Sequence, residues 1–271
     1  MTARLDAALA ERGIARSRTH AAALIDQGLV TVNGRPVLKA STKVEDGDML
    51  AVAGADHYVS RGAHKLIAAL DGFAVDPAGR VALDMGASTG GFTQVLRERG
   101  ARRVLAVDVG HDQLAAVVRA DPGVVAVEGF NVRHMDAGVL ARATDESERP
   151  SLVVGDLSFI SLTLVLPAIA ATAADEADVV LLVKPQFEVG RTAVRGGLVT
   201  NPAIRADAVA RVLWSAWDQG LGVRGILPSP ILGTHGNAEF LVHLRAAQDA
   251  RGGGGNPTEW LSTIDEMAGG R

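Results

Sequence analysis

Short apolar runs and amphipathic stretches alternate along most of the chain. Apolar runs typical of buried strands lie near residues 81, 104, 124, 152, 179, 223 and 240, and helical patterns separate most of them. Strands that alternate with helices in this way usually form one sheet with helices on its faces. The pattern therefore predicts a doubly wound α/β domain.

The first 57 residues follow a different pattern, with shorter elements. Helices are predicted from Arg4 to Arg12 and from the N-cap residue Ser17 to Gln27. A strand that begins at Leu29 leads into an Asn33-Gly34 hairpin turn, and a last short strand runs from Met49 to Val52. This order predicts a small α+β domain ahead of the sheet.

These patterns divide the chain into segments. We expect a small domain over residues 1–57, a linker over 58–64, the α/β domain over 65–248 and a flexible glycine-rich tail over 249–271. Within the tail, Gly252–Gly255 is typical of a spacer, and at most a short helix is expected from Thr258 to Met267.

A glycine-bearing loop follows the first strand of the α/β domain. It runs Asp84-Met-Gly-Ala-Ser-Thr-Gly-Gly91, and Asp108 stands at the end of the second strand. Such a loop lets backbone N–H groups approach a ligand, and an acid at that second position suits ribose hydroxyls. The glycine spacing differs from the dinucleotide pattern Gly-x-Gly-x-x-Gly and from the triphosphate pattern that ends in Gly-Lys-Ser/Thr.

The acid just before the loop indicates which cofactor to expect. A carboxylate at Asp84 suits an ammonium group, so the pattern favours S-adenosyl-L-methionine over a dinucleotide or a purely structural turn. The residues predicted to hold this cofactor are Asp84, Gly86, Ala87, Ser88, Thr89, Gly90, Gly91, Asp108, Val109 and Asn131.

Composition narrows the classes of function. With 271 residues, 48% of them hydrophobic, the chain is long enough for one large domain and one small one. The absence of cysteine excludes disulfides, thiolate metal sites, iron–sulfur chemistry and a cysteine nucleophile. Charged residues near the start are not typical of a signal peptide, and the most apolar stretch, Ile160–Ala174, is too short to span a bilayer. We therefore expect a cytoplasmic protein with no metal and no membrane partner.

Charge is unevenly distributed, although the net charge is only −4. Residues 1–43 carry seven Lys or Arg against three Asp or Glu, whereas residues 44–60 carry four acids and no Lys or Arg. A basic face of this kind favours contact with RNA phosphates, and a solvated charged surface is the alternative. The loop after Lys184 also carries two arginines that we expect in a mobile lid. The predicted RNA-binding residues are Arg4, Arg16, Arg18, Arg35, Lys39, Arg61, Arg191 and Arg195.

Four charged residues are predicted to meet at one edge of the sheet. Asp156 and Lys184 each follow an apolar strand, Glu239 precedes the last strand, and Lys65 lies on the helix before the first. Ligands of parallel sheets bind where the strands end, and a lysine there is rarely buried without a partner. A rim ion pair without chemistry is the alternative.

This set suits transfer of a methyl group to an oxygen. A ribose 2′-hydroxyl is a weak acid, so its attack on a sulfonium methyl needs a base, and a lysine of lowered proton affinity can act as one. We expect Lys184 to be the base, Asp156 and Lys65 to orient amine and substrate, and Glu239 to fix the geometry. Amine methylation commonly uses an Asn/Asp-Pro-Pro-aromatic loop, where this chain has Asp156-Leu-Ser-Phe159, and pyrimidine carbon methylation usually needs a cysteine.

Motifs spread over residues 1–246 resemble a known family. The run from Arg4-Leu-Asp to Val32-Asn-Gly34 is similar to the RNA-binding domain of the ribosomal protein S4 type. Together with the linker Tyr58–Lys65, the glycine loop, Asp156-Leu-Ser-Phe-Ile-Ser161 and Lys184-Pro-Gln-Phe-Glu188, it resembles the TlyA family. The resemblance implies a Rossmann-like class I methyltransferase domain similar to the FtsJ/RrmJ ribose methyltransferases. Their Lys-Asp-Lys-Glu tetrad then corresponds to Lys65, Asp156, Lys184 and Glu239.

The resemblance also implies a substrate. It implies 2′-O-methylation of cytidine in ribosomal RNA, of the large subunit alone or of both subunits, with S-adenosyl-L-methionine as cofactor. Ribosomal RNA or ribosomal subunits would be the partner, and a monomer is favoured. In actinobacterial members this methylation supports binding of capreomycin-type antibiotics. A non-catalytic RNA-binding protein is the alternative. The name hemolysin, which part of the family carries, implies pore formation, for which the sequence shows no spanning segment.

Overall fold

The described residues form two compact units, one within residues 1–57 and one within residues 58–271. The computed structural model describes residues 2–15, 17–26, 28–52, 57–190, 193–233, 236–246 and 255–269. Each unit has a hydrophobic core of its own.

The first unit combines two helices with short strands. Strand β1 (Thr2–Arg4) pairs with β4 (Lys43–Glu45), and β2 (Val30–Val32) lies between β3 (Arg35–Pro36) and β5 (Leu50–Val52), all antiparallel. Helices α1 (Leu5–Glu11) and α2 (Arg18–Asp26) pack together. The buried core side chains come from both helices and from β2 and β4, and include Leu5, Leu9, Ile25, Val30 and Val44.

Local signals located most of these elements. The Ser17 hydroxyl accepts a hydrogen bond from the backbone N–H of His20 at 3.1 Å, which confirms the predicted N-cap. Asn33 and Gly34 both have positive φ, 51° and 77°, as the predicted hairpin turn requires. The pair β1–β4 was not predicted, because Thr2-Ala-Arg4 and Lys43-Val-Glu45 each contain a single apolar residue, too few to show a period.

The second unit is a sheet with helices between its strands. Its strands are β6 (Val81–Met85), β7 (Arg103–Val107), β8 (Val124–Val127), β9 (Leu152–Gly155), β10 (Asp178–Val183), β11 (Leu221–Pro228) and β12 (Phe240–Ala246). Its helices are α3 (Ala63–Phe73), α4 (Gly91–Glu98), α5 (Ala116–Arg119), α6 (Ala137–Thr144), α7 (Leu166–Thr172), α8 (Pro185–Glu188), α9 (Pro202–Asp218) and α10 (Leu261–Met267). Each strand lies where its apolar run predicted it, so the predicted α/β class is confirmed.

The strand order is β11-β12-β10-β9-β6-β7-β8 in the described part of the chain. The strands from β10 to β8 are parallel, whereas β12 runs antiparallel to both β10 and β11. Val183, at the end of β10, is therefore paired with Phe240, at the start of β12. This reversal brings the residue before β12 to the edge where the parallel strands end.

Side chains alternate between two apolar layers. Leu83 and Leu181 lie in one core cluster, and Ala82 and Val180 in the other, because successive residues of a strand face opposite sides of the sheet. Strands covered on both faces read as continuous apolar runs, as these do. Among the described residues, no helix is both long enough and apolar enough to cross a membrane.

The prediction of a loose tail over residues 249–271 is wrong for residues 255–269. The N–H of Val223 donates to the carbonyl of Gly255 at 2.9 Å, and the Arg205 guanidinium donates to the carbonyl of Ala268 at 2.6 Å. Ile264 and Ala268 are buried in the main core. The segment packs because its apolar positions share one helix face that covers α9, and residues 247–254 lie outside the described part.

Candidate active site

The loop between β6 and α4 turns sharply at two glycines. Gly86 and Gly90 have φ values of 78° and 97°, a region that favours glycine. A Cβ at Gly90 would also lie only 2.8 Å from Cδ1 of Leu114. Both positions therefore need glycine for the chain to return from the strand into the helix.

Asp108 joins this loop to the next one. One of its carboxylate oxygens accepts the N–H of Ser88 at 2.8 Å, and the other accepts the N–H of Gly110 at 2.7 Å. These two bonds hold the carboxylate at the end of β7. Each oxygen keeps a further lone pair that can accept from a ligand hydroxyl.

Asp84 is fully buried at the end of β6. One oxygen accepts the Thr93 hydroxyl at 2.6 Å, and the other, Oδ1, has no hydrogen-bond partner among the described residues. The pKa of this carboxyl is raised to about 7, mainly by burial; the charges of Asp156 and Asp108 act in the same direction, and the bond from Thr93 acts in the opposite one. An orphaned carboxylate oxygen here fits a cationic group.

A cavity of about 550 Å³ lies beside the loop. Five of the residues predicted to hold the cofactor line it: Gly86, Ser88, Asp108, Val109 and Asn131. Its volume is in the range typical of small-molecule sites. The other predicted residues do not line the cavity: Asp84 lies in β6, Ala87 and Thr89 in the loop after it, and Gly90 and Gly91 at the start of α4.

Four charged side chains meet at the edge of this cavity. The Lys184 amine lies 2.6 Å from Oδ1 of Asp156, and the Lys65 amine lies 2.6 Å from Oε2 of Glu239 and 3.7 Å from Oδ2 of Asp156. Lys65, Lys184 and Glu239 are buried. Two cations and two anions compensate one another, which is the condition under which such charges are tolerated away from water.

A second cavity, of about 300 Å³, adjoins the first. Lys184 and Glu239 line it, and Ser158 and Phe159 line both cavities. The Lys184 amine therefore lies beside the wall that separates two ligand-sized spaces. Ser158, to which that amine donates a hydrogen bond of 2.8 Å, was not predicted from the sequence, although its position two residues after Asp156 is a signal for it.

Other missed residues hold the site loops. The buried carboxylate of Glu188 accepts the Ser161 hydroxyl at 2.5 Å and the Leu162 N–H at 2.9 Å, and burial raises the pKa of this group. It thereby ties α8 to the loop after β9. Phe130, also not predicted, lines the first cavity; it follows β8, so the strand-end rule was the signal for it.

The predicted RNA-binding residues fall into separate groups. Arg4 and Arg18 both pair with Asp6, at 3.0 Å and 3.4 Å, and the hydrogen bond from Arg4 is the main cause of the lowered pKa of that carboxyl. The described members are all exposed: Arg4, Arg18, Arg35 and Lys39 in the first unit and Arg61 and Arg195 in the second. Arg16 and Arg191 lie outside the described residues. RNA contact by this set stays a prediction.

Comparison with known proteins agrees with this architecture. The FtsJ-like methyltransferase family matches residues 58–246, and the S4 domain matches residues 3–50. The chain is 48% identical, over 91% of both sequences, to the 16S/23S rRNA (cytidine-2′-O)-methyltransferase TlyA of Mycobacterium tuberculosis. It is 31% identical to the 23S rRNA (cytidine-2′-O)-methyltransferase TlyA of Campylobacter jejuni, over 84% of this chain and 93% of that one.

A solved structure is similar over nearly the whole length. A protein of Streptococcus thermophilus described as a hemolysin shares 37% identity and a TM-score of 0.76, over 99% of this chain and 96% of that one. The matches therefore cover both the small domain and the sheet. This chain belongs to the TlyA family, in which an S4 domain is joined to an FtsJ-like methyltransferase domain.

Proposed function

We propose that this chain transfers the methyl group of S-adenosyl-L-methionine to the 2′-oxygen of a cytidine in ribosomal RNA, with Lys184 as the base. The observation that carries the proposal is the contact of 2.6 Å between the Lys184 amine and Asp156, beside the wall shared by two cavities. The relatives' names supply the nucleotide and the kind of RNA.

The first cavity is assigned to the cofactor. Asp108 would accept from the ribose hydroxyls, Ser88 and Asn131 would contact the ligand from the cavity wall, and the orphaned oxygen of Asp84 suits the ammonium group. When bound there, S-adenosyl-L-methionine supplies an electrophilic methyl group on a sulfonium sulfur.

The second cavity is assigned to the target ribose. The Lys184 amine takes the proton of the 2′-hydroxyl as the new carbon–oxygen bond forms. Asp156 holds that amine, and Lys65 holds Asp156 in turn through its contacts with Asp156 and Glu239. The proton ends on Lys184 and then passes to solvent.

The target must leave its stack to reach this cavity. Unstacking costs a few kcal/mol, which contacts to the RNA backbone offset. We assign those contacts to a small domain of residues 1–57 and to basic residues of the catalytic domain, residues 65–248. Since the relative at 48% identity is named for both 16S and 23S rRNA, we propose that both subunits are substrates, in the cytoplasm.

Purified small and large ribosomal subunits, incubated with tritiated S-adenosyl-L-methionine, test the proposal. Methylated riboses are then mapped as reverse-transcription stops at low nucleotide concentration. Lys184→Met removes the amine and should lower transfer at least a hundredfold, with cofactor affinity within a few-fold of wild type. Lys184→Arg, which keeps the charge but cannot act as base, should be equally inactive.

A matched control removes a cation that pairs with the opposite end of β10, far from Lys184. Arg80 pairs with Asp178 at 2.8 Å, where β10 begins, so Arg80→Met should keep wild-type transfer while the protein stays folded. Transfer to a base atom instead of a ribose, or full activity of Lys184→Met, would contradict the proposal. Binding without any transfer would indicate a non-catalytic RNA-binding protein.

A further inference from the structure

The amine of Lys184 donates a hydrogen bond to Ser158, whereas its contact with Asp156 is an ion pair without hydrogen-bond geometry. It donates a hydrogen bond of 2.8 Å to the hydroxyl oxygen of Ser158, while Oδ1 of Asp156 lies 2.6 Å away. The ring centroid of Phe187 lies 5.9 Å from the same nitrogen. The amine is therefore enclosed by two oxygens and one aromatic ring, and it lines the smaller cavity on its remaining side.

The direction of the lone pair matters because a base must present it to the proton that it takes. A neutral amine has two N–H bonds and one lone pair, and it can rotate about its terminal bond. The hydrogen bond to Ser158 holds one N–H. The negative charge of Asp156, 2.6 Å from the nitrogen, attracts the second N–H and disfavours the lone pair on that side. The ion pair alone therefore does not fix the rotation of the amine, and the ion pair together with the hydrogen bond to Ser158 leaves the lone pair one direction.

We propose that Ser158 is a positioning residue that, together with Asp156, turns the lone pair of the Lys184 amine toward the target ribose. The proposal rests on the proposed function of Lys184 as the base. Ser158 touches the amine rather than the reacting oxygen, so its effect passes through Lys184.

The loop that carries Ser158 is held on both sides. Asp156 binds the two lysine amines at its start, and Glu188 accepts the hydroxyl of Ser161 and the N–H of Leu162 at its end. Phe159, next to Ser158, has a φ of 64°, which a bulky residue adopts only where its surroundings require it. Although Ser158 is exposed, its backbone is thus fixed by the fold and its hydroxyl oxygen is held by the hydrogen bond from Lys184.

Loss of the hydroxyl has two expected effects. Ser158→Ala should lower kcat about ten- to a hundredfold, with KM for RNA and for the cofactor within about threefold, because the lone pair is less well directed. It should also move the rising limb of the pH–rate profile to lower pH by about half a unit to one unit, since an acceptor that stabilises the charged amine is gone. A merely structural role would lower kcat without that shift, and Ser158→Thr, which keeps the hydroxyl, should restore both.

Competitive acetylation gives a readout that needs no turnover. The protein without RNA is treated with a trace of acetic anhydride at a series of pH values, and acetylation at Lys184 is measured by mass spectrometry. In Ser158→Ala the labelling curve of Lys184 should move to lower pH by about half a unit to one unit, while Ser158→Thr follows wild type. Ser262→Ala, which removes an exposed hydroxyl from α10, is the matched control and should change nothing.

The two experiments separate the possible failures. If wild type transfers methyl groups to ribose and Ser158→Ala matches it in kcat, pH profile and labelling, the role of Ser158 is overturned and the proposed function stands. If wild type transfers no methyl group to ribosomal subunits, the proposed function fails, and with it the purpose assigned to Ser158. A shifted labelling curve together with reduced kcat supports both.

Discussion

Under the proposed function, we expect Asp84 to link the protonation of the protein to cofactor binding. The side chain is fully buried, Oδ1 has no hydrogen-bond partner in the described chain, and burial raises its pKa from 3.8 to about 7. A difference of roughly three units corresponds to about 4 kcal/mol. Near neutral pH the free protein is therefore divided between a protonated and an ionised Asp84.

Because the pKa of Asp84 is raised in the folded protein, the stability of the free protein depends on pH. Between about pH 4 and pH 7 the unfolded chain has released the proton that the folded chain keeps, so stability of the free protein falls as pH rises through that window. A cation bound at Asp84 offsets this loss because it pairs with the ionised form. Cofactor binding through an ammonium group should accordingly strengthen as pH rises toward 7.

The pKa of Asp84 sets how strongly the affinity for the cofactor should change with pH. With a pKa of about 7, the ionised fraction is roughly 3% at pH 5.5 and half at pH 7.0, so affinity for S-adenosyl-L-methionine should rise about 16-fold between those values. An α-amino group stays protonated over this range. Asp84→Asn keeps an acceptor for Thr93 but cannot ionise, so its affinity should be low and independent of pH.

Titration calorimetry at four pH values between 5.5 and 7.0 measures this dependence in wild type and Asp84→Asn. The control ligand is 5′-methylthioadenosine, which has the nucleoside and the sulfur but no amino-acid part, and its affinity should not vary with pH in either protein. If Asp84→Asn keeps the same pH dependence as wild type, or if wild type shows none, Asp84 does not bind the ammonium group and only shapes the loop.

Two further predictions concern residues away from the cofactor. A Cβ at Gly233 would overlap the carboxylate of Glu239, so Gly233→Ala should displace Glu239 from Lys65. Single-turnover methyl transfer should fall roughly a hundredfold, with RNA affinity nearly unchanged. Normal transfer by this variant would mean that the position of the Glu239 carboxylate is unimportant. Arg18 is largely exposed beside Asp6, and Arg18→Glu should weaken RNA binding and reduce the salt slope of log Kd by about one, measured by fluorescence anisotropy at several salt concentrations. An unaltered slope would indicate a solvated surface.

Local signals account for most of what was predicted correctly. The apolar runs located every strand of the large sheet, and Asn33-Gly34 and Ser17 located a turn and a helix start. These features depend on residues within a few positions of one another. The tail was misjudged because its burial depends on α9, which lies some 50 residues earlier in the chain, although Ile264 and Ala268 are apolar.

In the candidate site, too, short motifs located residues, whereas their contacts became visible only in the folded structure. Sequence motifs named Lys65, Asp156, Lys184 and Glu239. Ser158 was missed because its place two residues after Asp156 indicates nearness to the site but not which group its hydroxyl contacts. Likewise, the basic residues of the first domain were counted as a charged face, and the ion pairs of Arg4 and Arg18 with Asp6 became visible only in the folded unit.

The amino-acid order by itself determined the element types, the glycine turn after β6 and the family, because periodicity, turn chemistry and short motifs are local properties of a chain. Only the tertiary structure decided that Lys65 and Glu239, 174 positions apart, are in contact. That contact depends on β12 running antiparallel to β10, which places Glu239 next to the end of β10 rather than at the opposite edge of the sheet. Strand direction is set by how the whole sheet packs, and no local pattern encodes it.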